Sequence, residues 1–261
     1  MTVFALGPAG TFSHELACRL YGEAELLPSI AAIFRHVEGS PDTGVVPLEN
    51  SEAGSVGQTL DGLQRNSVYI SGEAYIQIHH QLAAYVPVEQ LRVIFAHPQT
   101  SEQCSEILDS IGVEIVHTSS NAASAVRLRE TPCSGAVISD TIASMYAIPI
   151  IKRNIENNPD NTTRFVIIQG TPYRDPEAVK ASILVDPEYD RPGLLYQLLS
   201  VFAVRGINLT RIESRPSKRG IGRYVFFIDL ETAPGWQDAL TELDTMTQVK
   251  RLGCYRRLEV P

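Results

Sequence analysis

The stretch VFALGPAGTFSHELACRLYG, residues 3–22, decides how the chain is read. Val3 to Leu6 is a short apolar run that stops at Gly7-Pro8, as a buried strand does when a turn follows. Beyond the turn, Phe12, Leu16 and Leu20 fall one helical turn apart. Thr11 or Ser13 can cap the start of that helix and Gly22 can end it. Strand, glycine-bearing turn and amphipathic helix form the repeating unit of an α/β layered fold.

The unit recurs downstream. Ser29 opens a helix whose core face is Ile30, Ile33, Phe34 and Val37, closed by Gly39. Gly44 to Leu48 reads as a strand that delivers Glu49-Asn50-Ser51. Ile76, Ile78, His80, Leu82 and Ala84 alternate as in one long half-buried strand. Val93 to Phe95 runs into His97-Pro98-Gln99, and Cys104, Ile107, Leu108 and Ile111 share one helical face. Glu114 to His117 leads to Ser119-Ser120-Asn121 at a helix start, and Ala136 to Ser139 and Arg164 to Gln169 are further strands. In open α/β sheets ligands bind at the carboxyl ends of strands, where helix N-termini favour anions.

Gly170 to Glu177, with Pro172 and Pro176, reads as a linker. After it the order changes. Ala181 to Val185 is a strand and Gly193 to Val204 a helix. Asn208 to Arg215 and Arg223 to Leu230 form a hairpin, Trp236 to Thr247 a second helix, and Val249 to Tyr255 a last strand. That βαββαβ order is ferredoxin-like. The expected domains are 1–173 and 178–261.

Composition limits the functions available. With 261 residues, 44% hydrophobic and 20% charged, the chain is that of a globular protein. A net charge of −8 argues against nucleic acid as a partner, and an anionic ligand would have to be held by local groups against the overall field. No apolar run reaches the roughly 18 residues of a membrane span, so no membrane association is expected. The start lacks the features of a secretory signal, which points to the cytoplasm. Cys18, Cys104, Cys133 and Cys254 are scattered without a CxxC pair, as reduced thiols would be. His14, His36, His79, His80, His97 and His117 show no metal spacing. All but His97 read as surface or satisfied core histidines.

Several motifs carry a family resemblance. Gly7-Pro8-Ala9-Gly10-Thr11-Phe12-Ser13, Val46-Pro47-Leu48-Glu49-Asn50-Ser51 with Gly54-Ser55-Val56, His97-Pro98-Gln99 with Gln103-Cys104, and Asn161-Thr162-Thr163-Arg164-Phe165 resemble the ordered motifs of prephenate dehydratases. Pro192-Gly193-Leu194-Leu195 and Glu213-Ser214-Arg215-Pro216 resemble the GALV and ESRP motifs of their ACT regulatory domain. Two positions depart from the pattern. Ser119-Ser120-Asn121 stands where the family has Ser-Thr-Ala, and Leu194 replaces an alanine. The sequence opens at the dehydratase motif, so a chorismate mutase region, which some members of the family carry, is not expected.

The resemblance implies a two-lobed catalytic region, like a periplasmic binding protein, joined to an ACT domain. The implied reaction is decarboxylating dehydration of prephenate to phenylpyruvate, in phenylalanine biosynthesis, with no cofactor and no metal. A donor near the departing ring hydroxyl would help by about 10²–10⁴-fold. Thr163 is the candidate for that task, although a threonine also starts a strand well. Asn50, Gln99 and Glu49 complete the catalytic set. Asn50 and Gln99 would orient polar groups, while Glu49 would repel a dianion unless it faces away. Gly10, Thr11, Ser120, Arg164 and Phe165 are the substrate-binding candidates. Arg164 could clamp a carboxylate, but strand alternation turns it from the face of Thr163.

The effector implied is L-phenylalanine, bound between two subunits by Gly193, Leu194, Leu195, Asn208, Leu209, Glu213 and Ser214. Such a site requires a homodimer or homotetramer. Arogenate as substrate, a solute-binding role, and a non-catalytic amino-acid sensor remain as alternatives.

Overall fold

The computed structural model describes residues 1–220 and 222–261. The first lobe runs β1 (Val3–Leu6), α1 (Phe12–Tyr21), β2 (Glu25–Leu27), α2 (Ile30–Val37), β3 (Thr43–Asn50), β4 (Gly54–Ser55), α3 (Gly57–Arg65) and β5 (Tyr69–Gln77). The second runs β6 (Gln81–Ala84), β7 (Val93–Ala96), α4 (Pro98–Gln103), α5 (Ser105–Ile111), β8 (Glu114–His117), α6 (Asn121–Glu130), β9 (Ser134–Ile138), α7 (Asp140–Met145) and β10 (Ile150–Lys152). Then β11 (Thr162–Gln169) returns to the first lobe. The C-terminal unit follows with β12 (Lys180–Asp186), α8 (Leu194–Ala203), β13 (Leu209–Pro216), β14 (Tyr224–Glu231), α9 (Trp236–Met246) and β15 (Gln248–Tyr255).

Each unit has its own sheet. The first orders as β2-β1-β3-β11-β5 with β4 on β3, the second as β10-β6-β9-β7-β8, and the third as β13-β14-β12-β15. The chain therefore crosses between the lobes twice, through residues 78–80 and 153–161. This corrects one expectation. The alternation from Ile76 to Ala84 is not one strand, because β5 ends at Gln77 and β6 starts at Gln81 in a different sheet. The backbone breaks where the two crossings bind each other. Ile78 N–H donates to the Asn161 carbonyl (2.7 Å), Ile155 N–H to the His80 carbonyl (2.9 Å), and the His80 N–H to Glu156 (2.9 Å). A second correction concerns Cys104, which caps α5 rather than lying within it, with α4 before it.

Alternation along the third sheet explains how the C-terminal unit docks. Ala181, Ile183 and Val185 of β12 and Ile228 and Leu230 of β14 face α8 and α9, packing with Leu198, Phe202, Leu240 and Leu243. The residues between them point the other way. Leu184, Val225, Phe227, Leu252 and Tyr255 join Phe34, Leu60, Leu63, Ile70 and Val166 in one core shared with the first lobe. Burying that face at roughly 25 cal/mol per Å² of apolar surface holds the two units together. Gly253 marks the closest approach, since a Cβ there would stand 2.1 Å from the Ile70 carbonyl oxygen.

Candidate active site

A cavity of about 410 Å³ lies between the two lobes. From the first lobe it is lined by the β1–α1 turn (Gly10, Thr11, Phe12), by Asn50 at the end of β3, and by Thr163 and Phe165 of β11. The second lobe contributes His97, Gln99 and Gln103 around α4 and Ser119, Ser120 and Asn121 at the start of α6, and His80 lies on the crossing. Leu6, Pro47, Val56, Ile78 and Ile142 make an apolar wall.

Of the helices that begin at this cavity, α1 and α6, one from each lobe, carry side-chain caps, whereas α4, with His97 at its N-cap, has none. Thr11 caps α1, its hydroxyl accepting from the His14 N–H (3.2 Å) and donating to the Leu6 carbonyl (2.7 Å). Ser120 caps α6 by accepting from the Ala123 N–H (3.0 Å). The first N–H groups of each helix have no preceding turn to bond, so both ends attract anions. No lysine or arginine lines the cavity among the described residues, which leaves these helix ends and the nearby hydroxyls as its anion-binding groups. Gly10, at φ +88°, adopts a backbone that side chains rarely follow, and a Cβ there would meet Ile142 Cγ1 at 2.5 Å.

At the centre, the Asn50 side-chain amide donates to Thr163 Oγ1 (2.9 Å) and to Asn161 Oδ1 (2.7 Å). Its oxygen accepts the N–H groups of Glu52 (3.1 Å) and Ala53 (2.9 Å). With both ends engaged, Asn50 has one orientation, and its job is to fix Thr163. The Thr163 oxygen accepts from Asn50, so its own proton is free to be donated into the cavity.

Sequence reasoning passed over two residues. His80 is 2% exposed, and its Nε2 lies 3.0 Å from Gln103 Oε1. Burial lowers its pKa, which keeps the ring neutral, with Nε2–H donating to Gln103 and Nδ1 without a protein partner. Gln103 sits in the quoted motifs, but its side chain reaches the site only because the second crossing folds over α4. His80 has no motif of its own. The doublet His79-His80 is its only signal in the sequence.

Two expected site residues are placed elsewhere. Arg164 is turned to the opposite face of β11, where Nε donates to Glu73 (2.8 Å), Nη1 to Asp229 (2.5 Å) and Nη2 to the Tyr255 hydroxyl (3.1 Å). Burial alone would lower its pKa, but Asp229, Tyr255 and Glu73 drive it well above the ordinary value. Its charge is fully used, so it cannot clamp a substrate carboxylate in the cavity. Glu49 also leaves the cavity face and pairs with Arg211 Nε (3.2 Å), because alternation along β3 turns it from Asn50.

Of the effector candidates, Gly193, Leu194 and Leu195 open α8, and Asn208 and Leu209 lie where β13 begins. The Asn208 amide donates to Glu231 (3.0 Å), and Ser214 is exposed on edge strand β13. Glu213 is the exception. It points at the first lobe and accepts from Ser55 Oγ (2.8 Å), so it does not converge with the start of α8.

Comparison with known proteins agrees with this layout. The prephenate dehydratase family model matches residues 3–172, and the ACT domain model matches residues 182–245. The bifunctional chorismate mutase/prephenate dehydratase of Pseudomonas aeruginosa is 39% identical over 98% of this chain and 73% of its own length. The prephenate dehydratase of Bacillus subtilis is 34% identical over 99% of this chain and 97% of its own. Among solved structures, prephenate dehydratase from Arthrobacter aurescens in complex with L-Phe superposes with a TM-score of 0.89 at 31% identity, covering 100% of this chain and 93% of that one.

Proposed function

The chain belongs to the prephenate dehydratase family, and from that premise we propose that it converts prephenate to phenylpyruvate under control of phenylalanine bound at its ACT domain. The observation that carries this reading is the Asn50–Thr163 pair in a cavity onto which side-chain-capped helix N-termini open from both lobes.

Prephenate carries two carboxylates and a ring hydroxyl. The ends of α1 and α6 supply an anion site on each side of the cavity, which suits a dianion better than a single point charge would. Loss of carbon dioxide sends the electrons of the breaking C–C bond into the ring and out through the C–O bond. Charge therefore develops on the departing oxygen. Thr163 donates its hydroxyl proton as a hydrogen bond to that oxygen, and the N–H of Asn50 on Thr163 Oγ1 strengthens the donation. Hydroxide leaves as water, with the proton drawn ultimately from solvent, so a neutral donor suffices. The apolar wall, with Phe12 and Phe165, packs the ring and strengthens each polar contact by excluding water.

In the C-terminal unit, β13 is an edge strand with an unpaired backbone row. Ile212 on it is 45% exposed, and Leu195 and Tyr196 on α8 are 37% and 77% exposed. This apolar margin supports a homo-oligomer joined along β13, with phenylalanine held near Gly193, Leu194 and Asn208. Among the described residues no helix is long and apolar enough to cross a membrane. A cytoplasmic location is the reading that fits this together with four unpaired cysteines. Turnover of prephenate by the purified chain, with arogenate run beside it, tests the reaction and its substrate.

A further inference from the structure

The Asn50–Thr163 pair has a second side. In the β3–β11 ladder Thr163 stands opposite Asn50, and Arg164 stands opposite Glu49. One couple faces the cavity. The other, a single residue along each strand, faces the ACT sheet, and both of its members are held there.

The Arg164 contact is buried and closed. Arg164 and Asp229 are 7% and 4% exposed, and Asp229 Oδ1 and the Tyr255 hydroxyl each lie 2.5 Å from Ser182 Oγ. Lys180 Nζ adds a 2.7 Å contact to Glu73. Asp229, Tyr255, Ser182 and Lys180 all belong to the ACT sheet, on strands β14, β15 and β12. The Glu49 contact is more open. Arg211 of β13 reaches Glu49 through Nε and donates from Nη2 to Ser55 Oγ (2.6 Å), which in turn donates to Glu213.

We infer that Arg164 and Glu49 are positioning residues, through which the ACT sheet sets the geometry of Thr163 and Asn50 without touching the substrate. Breaking a buried ion pair leaves uncompensated charge, so a shift of the ACT sheet cannot be absorbed by slack at Arg164. The shift passes instead to the backbone of β11, one residue from Thr163. Glu49 gives β3 a weaker hold of the same kind. The route gives the effector a mechanical path to the site. That use rests on the function proposed above, whereas the link between sheet and strands does not.

The test uses the full-length protein with two changes in the ACT unit, Arg211→Gln and Tyr255→Phe. Tyr255→Phe keeps the ring and removes only the hydroxyl. The expected result is a fall in kcat of about tenfold with KM little changed, since a misplaced donor is felt in the transition state. Phenylalanine should bind both variants with the Kd of the unmodified chain, measured by calorimetry, yet change their rate less. Arg211→Lys, which keeps the cation, should restore most of the loss in Arg211→Gln. Backbone amide exchange over residues 49–51 and 162–165 needs no substrate and should quicken in both variants. Unchanged exchange in both variants overturns the inference. So do kcat and phenylalanine response equal to those of the unmodified chain. Faster exchange in a protein that turns over no prephenate would leave the link standing and sink the proposed reaction.

Discussion

The Asn50 side-chain nitrogen lies 2.9 Å from Thr163 Oγ1, and the two residues are register partners on adjacent strands whose sequence positions are more than a hundred residues apart. The hydroxyl is thus held by the sheet rather than by local turn chemistry. Thr163→Val keeps the branched shape and removes the donor. It should lower kcat by about 10²–10⁴-fold with little change in thermal stability. Thr163→Ser should retain a substantial part of the rate. Steady-state kinetics beside a melting curve check both, and a Thr163→Val rate close to that of the unmodified chain would remove Thr163 from the chemistry.

Arg164→Met should act on stability first. It strands Asp229 without a cation in a buried interface and leaves Glu73 to Lys180, a loss of about 3–5 kcal/mol by the usual cost of breaking a buried pair. Urea denaturation reads it directly. A change below about 1 kcal/mol, the range of an exposed pair, would show that the interface is wet and the network weak.

His80 should make stability depend on pH. Burial depresses its folded pKa, so near and below neutrality the unfolded chain takes up a proton that the folded chain resists. Its stabilising contribution is present above the unfolded pKa of about 6.5 and is lost as pH falls toward the folded value. His80→Gln should flatten that limb of the curve. Denaturation midpoints across the acid range test this, and identical slopes in the two proteins would contradict a neutral buried ring.

Gly253→Ala should loosen the ACT unit from the first lobe. The added Cβ would meet the Ile70 carbonyl oxygen at 2.1 Å, and φ at this residue is +148°. Neither backbone can yield without parting β15 from β5. Proteolysis of the linker around residues 170–179 should speed up in this variant, and unaltered digestion would show that the contact is not needed for docking.

Much of this layout was legible in the sequence for a physical reason. Period-two and helical patterns mark elements whose one face is buried, and alternation along β11 by itself turns Arg164 from the face of Thr163. The crossing at residues 78–80 was not legible. Ile76, Ile78, His80 and Leu82 alternate straight through it, because both flanking strands are buried and neither needs glycine or proline at the break. Helix α3 escaped as well, since Gly57 and Gly62 dilute its pattern and its burial depends on Phe34 from α2. Arg211, which pairs with Glu49, and Asp229 and Tyr255, which bind Arg164, lie in the ACT domain, while Glu73 lies on β5, and no local pattern encodes contacts of that range.

The central claim is tested most directly by giving purified protein prephenate at neutral pH and following phenylpyruvate and carbon dioxide, with and without phenylalanine. The account predicts equal release of both products, a rate that phenylalanine changes, and a Thr163→Val variant slower by about 10²-fold or more. A folded chain that turns over no prephenate, or a Thr163→Val variant that keeps pace with the unmodified protein, would contradict it.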